Sequence, residues 1–115
     1  MQSIDGDKLR GHLETLILAT LAKGEAHGLE ILRRLEVGGC GLLKLKEGSL
    51  YPALYRLEAK GWIAGSWALS EKGKRARYYR ITPAGRRQLT SEHSKWNTFA
   101  RAMGLLLKPL GEEGR

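Results

Sequence analysis

Cysteine is almost absent from this 115-residue chain: Cys40 stands alone. No intrachain disulfide can form, a cysteine-based zinc site is excluded, and the composition suits a reducing compartment. Histidine is equally sparse. His12, His27 and His93, with Cys40, show no metal-ligand spacing, and no cofactor is expected. Long apolar runs are missing too. The longest, Leu16–Ala22, is interrupted by Thr20 and falls far short of the roughly 18 residues that span a bilayer. Met1–Arg10 carries Asp5 and Asp7 without an apolar block, which does not read as a signal peptide. No nucleophile stands with a base and an orienting acid at a known spacing. Gly38–Gly41 lacks the following Lys-Ser or Lys-Thr of a phosphate cradle. The chain is therefore not expected to be an enzyme.

Acidic residues are also few, 12 against 20 Lys and Arg, for a net charge of +8. An anionic partner follows, nucleic acid before a membrane surface. The excess is local. Between Lys60 and Gln88 lie eight cations, Lys60, Lys72, Lys74, Arg75, Arg77, Arg80, Arg86 and Arg87, against the single acid Glu71. Hydrophobic residues make up 42%, enough for one folded unit. The 15 glycines are scattered and read as punctuation, and there is no internal repeat.

Apolar residues at three- and four-residue steps predict a helix over Lys8–Ala22, through Leu9, Leu13, Leu16, Ile17 and Leu21. A second begins near His27 and ends before Gly38, with Leu29, Ile31, Leu32 and Leu35 as its stripe. A third covers Glu47–Lys60, with Leu50, Leu54 and Leu57 on one side and Gly61 after its end, where a left-handed cap is favoured. The period then changes. Trp62–Leu69 and Arg77–Thr82 read as strands around the basic loop Ser70–Ala76. Trp62 and Trp67 alternate faces and are expected to pack and support the hairpin. Thr82-Pro83 reads as an N-cap and first helical residue of a last helix reaching about Lys108.

The fold class is thus mainly α with a small β-hairpin (α+β): a winged helix-turn-helix over residues 1–82, followed by a long helix and tail over 83–115. A helix of about four turns fits the major groove of B-DNA, and a cationic hairpin tip can rest on phosphates. On the third helix Ser49, Pro52, Tyr55, Arg56 and Ala59 lie opposite the leucines. These include donors for bases and phosphates, although a plain surface helix gives the same pattern. Pro52 is expected in the first turn, and Tyr51 closer to the buried side. In the last helix Leu89, His93, Trp96, Ala100, Met103 and Leu107 follow a heptad spacing that Phe99 and Leu106 widen. A second copy of the chain can cover such a seam, and so can the first helix of the same chain.

The run from Glu47 to Glu58, with Ser49-Leu50-Tyr51-Pro52-Ala53-Leu54-Tyr55-Arg56-Leu57 at its heart and Gly61-Trp62-Ile63 behind it, resembles the PadR family of bacterial transcriptional regulators. His27-Gly28-Leu29-Glu30-Ile31 and Arg77-Tyr78-Tyr79-Arg80-Ile81-Thr82-Pro83-Ala84-Gly85 extend the likeness, which spans about Leu9 to Leu89. Leu29 departs from the family's usual tyrosine, and Gly38–Gly41 is unusually glycine-rich. The resemblance implies a homodimeric repressor of palindromic double-stranded DNA. It carries Ser49, Tyr51, Pro52 and Arg56 over as recognition-helix positions, and Lys74 and Arg75 as the wing.

With charge and exposure added, the expected DNA-binding set is Ser49, Tyr51, Pro52, Tyr55, Arg56, Lys60, Lys72, Lys74, Arg75 and Arg77. The expected dimer interface is Leu89, His93, Trp96, Phe99, Ala100, Met103 and Leu107. The short C-terminal region is similar to the compact subfamily with one dimerisation helix, which implies a site for a flat hydrophobic effector at Trp96. Trp96 equally fits a packing role. The expected location is the bacterial cytoplasm, at the nucleoid. The alternative function is a basic winged-helix module that binds RNA or a protein partner.

Overall fold

The computed structural model describes residues 12–39, 45 and 47–108. Three helices come first: α1 (Leu13–Leu21), α2 (Gly28–Gly38) and α3 (Glu47–Ala59). Between α1 and α2 lies a two-residue strand, β1 (Ala26–His27). The hairpin β2 (Ile63–Leu69) and β3 (Arg75–Ile81) follows, and α4 (Pro83–Leu106) closes the chain. The sheet is antiparallel with order β1-β3-β2. The α+β winged-helix architecture expected from the periodicities is what the chain adopts. The helix expected over Lys8–Ala22 does not run through His12, which is the N-cap of α1; its start at Lys8, and the stretch Cys40–Lys44, lie outside the described residues.

The core is built from the helical stripes. Leu13, Ile17, Leu18 and Leu21 of α1 meet Ile31 and Leu35 of α2 and Leu50, Ala53, Leu54 and Leu57 of α3, and Ala26, Ile63 and Tyr79 of the sheet close it. Leu29 is not part of the α2 stripe: it is 56% exposed. The inward place beside Ile31 is taken by Gly28, over which the Tyr51 ring lies. A Cβ on Gly28 would stand 2.6 Å from the Tyr51 hydroxyl oxygen. At the start of α2, His27 Nδ1 accepts the Glu30 N–H at 3.3 Å.

α3 ends in a Schellman cap. The Trp62 N–H reaches the Leu57 carbonyl at 3.1 Å and the Gly61 N–H the Glu58 carbonyl at 3.0 Å, with Gly61 at φ +77°. Pro52 is the sixth residue of the helix, not a first-turn residue, because α3 begins at Glu47. It therefore removes the N–H that would bond the Gly48 carbonyl. Thr82 then joins α3 to α4. Its N–H donates to the Trp62 carbonyl at 3.0 Å and its hydroxyl to the Gly61 carbonyl at 2.7 Å, while its Oγ1 accepts the Gly85 N–H at 3.0 Å. Gly85 lies so close to the Trp62 carbonyl and Ile81 that no side chain fits there.

Candidate nucleic-acid interface

α3 turns one stripe inward and leaves the rest of its surface to two flanks and an outward face. Ser49, Pro52 and Tyr55 are exposed, Tyr55 by 77%. Tyr51, 44% exposed, sits on the α2 flank with its ring against Gly28. It thus packs at the N-terminus of the neighbouring helix while its edge meets solvent.

The opposite flank faces α1. Arg56 Nε donates to Glu14 at 3.3 Å, and Lys60 Nζ donates to the other Glu14 oxygen at 2.9 Å. Both cations remain about half exposed. Partial burial of Glu14 opposes its ionisation. The hydrogen bonds and positive charge of Lys60 and Arg56 outweigh that cost and bring its carboxyl below the usual range. Lys60 also lies over the Trp62 ring, 4.7 Å from its centroid. Arg56 is therefore turned toward α1 rather than straight out from the helix.

The wing tip is a tight loop. The Ser70 N–H donates to the Lys74 carbonyl at 2.7 Å, and the Gly73 N–H to the Ser70 carbonyl at 2.8 Å. Gly73 has φ +76°, the left-handed residue that closes such a hairpin. Lys72, Lys74 and Arg75 are exposed around this tip. Strand β3 begins at Arg75, two residues before the sequence expectation, because Leu69 pairs with Arg75 and Ala68 with Ala76.

Register divides the basic segment between two faces. Ile63, Gly65, Trp67 and Leu69 share the core-side face with Ile81, Tyr79, Arg77 and Arg75, and Arg80 lies on the other. Arg77 is turned back into the protein. Its Nη2 donates to Glu58 of α3 at 2.6 Å, and the Gly65 N–H donates to the same carboxylate oxygen at 3.3 Å. Burial pushes the Tyr79 phenol above its ordinary pKa, and the ring lies beside Arg77. Trp67 is 57% exposed, with the Arg75 and Arg77 guanidiniums 4.7 and 5.6 Å from its ring centre. It does not pack into the core, contrary to expectation, because the hairpin extends beyond it.

Among the described residues, α4 touches the rest of the chain through its first half. Leu89 packs against the core. Trp96, half exposed, meets His12 edge-on at 5.6 Å and Phe99 at 5.7 Å. His93 and Ala100 are exposed, and so are Phe99, Met103 and Leu107. Among the described residues, Leu89 meets the core and Trp96 meets His12, while the rest of the seam is exposed.

The side chains missed by sequence reasoning are Glu14 and Glu58. Glu14 and Arg56 lie 42 residues apart, and Glu58 and Arg77 lie 19 apart, separations at which no local pattern operates. Among the described residues, no group of three or more His, Cys, Asp or Glu is placed to hold a metal ion. No described helix is long and apolar enough to cross a membrane.

Comparison with known proteins agrees with this geometry. The model of the transcriptional regulator PadR-like family matches residues 17–91. A transcriptional regulator of Mycobacterium tuberculosis is 36% identical over 85 residues, covering 74% of this chain and 76% of the relative. The structure of a transcriptional regulator from Clostridium thermocellum superposes with TM-score 0.80 at 33% identity, covering 90% of this chain and 100% of that one. A PadR-like transcriptional regulator from Bacillus cereus gives TM-score 0.78 at 31% identity, covering 90% and 99%.

Proposed function

The chain belongs to the PadR-like family of transcriptional regulators, and from that premise we propose that it is a homodimeric repressor, bound to a palindromic operator and released by a small-molecule effector. Its activity as a family member is DNA-binding regulation of transcription, not catalysis. The observation that carries the proposal is the exposed face of α3 standing beside a cationic wing.

In this reading residues 1–82 are the reading unit and 83–115 the dimerisation element. α3 spans about 20 Å, a length that suits the major groove. Ser49, Pro52 and Tyr55 approach base edges, and Tyr51 borders them. Arg56 and Lys60 lie toward the phosphates on the α1 side, and Lys72, Lys74 and Arg75 rest on those beside the wing. Arg77 is reassigned from DNA to Glu58, to which it is already bonded.

Dimerisation is supported by the apolar seam of α4. Trp96, Phe99, Met103 and Leu107 expose large side chains along one helix, and a second copy buries them about a two-fold axis. Leu89, His93 and Ala100 continue that seam. Two copies then offer two α3 helices to half-sites about 34 Å apart. The exposed Trp96 and its neighbour Phe99 form an aromatic surface suited to a flat hydrophobic effector. The place of action is the bacterial cytoplasm, at the nucleoid.

Selection of bound sites from a pool of random duplex DNA tests the proposal. A two-fold symmetric site is expected, bound far more tightly than random duplex. Equal affinity for random duplex, single-stranded DNA and RNA would instead support a non-specific basic module and remove the repressor reading.

A further inference from the structure

We infer that Trp67 is a positioning residue that holds the wing at a fixed angle to α3, through a column of side chains running from Glu58 to Arg77, Trp67 and Arg75. The inference rests on the DNA-binding reading above and adds to it a determinant of specificity that touches no base.

The problem that the column solves is visible in the burial of the hairpin. Ile63 and Tyr79 are buried in the core, but from Ser66 to Leu69 every residue of β2 is exposed, as are residues 71–75. A two-stranded hairpin without a packed face is marginally stable in water and sets no direction of its own. Its far half needs another anchor. Among the described residues, the bonds from hairpin to α3 beyond Ile63 both end on Glu58: the Arg77 guanidinium at 2.6 Å and the Gly65 N–H at 3.3 Å.

Gly65 makes this approach possible. A Cβ there would stand 2.7 Å from Arg77 Nε, so a side chain at this position would push the guanidinium from its present place beside the strand. Arg77 is also the cross-strand partner of Trp67, whose ring carries Arg77 at 5.6 Å and Arg75 at 4.7 Å. The indole thereby continues the anchor to the last residue pair before the loop. Cation–aromatic contact is the force available to an exposed tryptophan between two guanidiniums. One end of the column is fixed on the helix that enters the groove, and the other presents Arg75 next to Lys74. A wing held in this way fits a duplex whose groove width and phosphate positions match one angle, so sequence-dependent DNA shape is read without base contact.

Two measurements on the full-length protein test the inference. The first reads the free protein. With Cys40→Ser, Ala59→Cys and Lys72→Cys, spin labels report the distance from the end of α3 to the wing tip. The distribution is expected to be narrow in this parent, clearly broader with Trp67→Ala, and narrow again with Trp67→Phe. A distribution unchanged by Trp67→Ala overturns the inference, whatever the protein binds.

The second measurement uses a duplex selected from the random pool by the parent protein. Trp67→Ala is expected to lose about two- to fivefold in affinity for that duplex, the scale of one exposed cation–aromatic contact. Random duplex and the salt slope should stay unchanged, because no cation is removed. Trp67→Phe should restore most of the loss. Arg75→Lys, which keeps the charge but not the planar stack, should lose part of it. Equal loss on both duplexes, or no rescue by phenylalanine, overturns the positioning role. Failure of the parent to select any duplex instead counts against the DNA reading and leaves the spin-label result to decide the column.

Discussion

Replacing Glu14 with glutamine removes one negative charge while keeping its shape, and it perturbs stability and DNA affinity in opposite directions. In the folded protein this carboxylate holds two cations of α3, Lys60 at 2.9 Å and Arg56 at 3.3 Å. Pairs this exposed contribute about 0.2–1 kcal/mol each, so Glu14→Gln should cost about 1 kcal/mol in total. For a domain of this size that is a fall in Tm of roughly 5 °C. The cost should depend on pH. The folded carboxyl titrates below its ordinary value of 4.5. The contribution of Glu14 is therefore complete above the unfolded pKa and disappears as pH falls through the lowered folded value. Parent and mutant should differ in Tm at pH 7 and converge in acid.

On DNA the same substitution releases Arg56 and Lys60 from a competing anion. Random duplex should bind more tightly, and the slope of log affinity against log salt should steepen by about 1 for each newly engaged phosphate. Fluorescence anisotropy with labelled random duplex at four or more salt concentrations measures it. An unchanged slope together with unchanged affinity would place Arg56 and Lys60 away from the phosphates and refute the reasoning. An unchanged Tm would show that the pairs contribute nothing to folding.

Three further outcomes follow from the geometry. Lys74→Ala, at the exposed wing tip, should weaken selected and random duplex alike and lower the salt slope by about 1, as seen in paired titrations. Met103→Glu places a charge in the α4 seam, where burial costs on the order of several kcal/mol. Sedimentation should show a monomer, and a persisting dimer would locate the interface elsewhere. Gly85→Ala drives a methyl group into the Trp62 carbonyl, which is held by Thr82 and cannot withdraw. It should cost about 3 kcal/mol or more, read by denaturant titration.

Much of the fold was written in local pattern. The three leucine-rich periods, the Gly61 cap and the Thr82-Pro83 start all act within a few residues, and the helices of all three periods form, although the first begins only at Leu13. Strand β1 was not legible, since two residues show no alternation and Ala26–His27 becomes a strand only by pairing with Tyr79 and Tyr78. Leu29 was misplaced for a related reason. Helical spacing allows the stripe to begin at Leu29, one turn before Leu32, or at Gly28, one turn before Ile31, and the Tyr51 ring of α3 lies over Gly28. Charge patterning located a cationic segment but not its orientation. Glu58 turns Arg77 inward and Glu14 draws Lys60 and Arg56 toward α1, and neither acid stands out in sequence. Trp67 was expected to pack and to support the hairpin; it does not reach the core, because the hairpin outruns the core before that position is reached.

The three hydrogen bonds of Thr82, with Gly85 pressed against the Trp62 carbonyl, make α4 a lever welded to the end of α3. Its arm is 24 residues, about 36 Å at the helical rise. In the proposed dimer the far end of each arm is clamped to its mate. A change of 10° in the crossing of the two arms turns each by about 5° and displaces each α3 by roughly 3 Å, so the pair shifts by about 6 Å against the 34 Å between half-sites. A ligand beside Trp96, as proposed, would act near the middle of that arm. It needs only to alter how two helices cross, and the stiffness of one helical joint carries the movement to the groove.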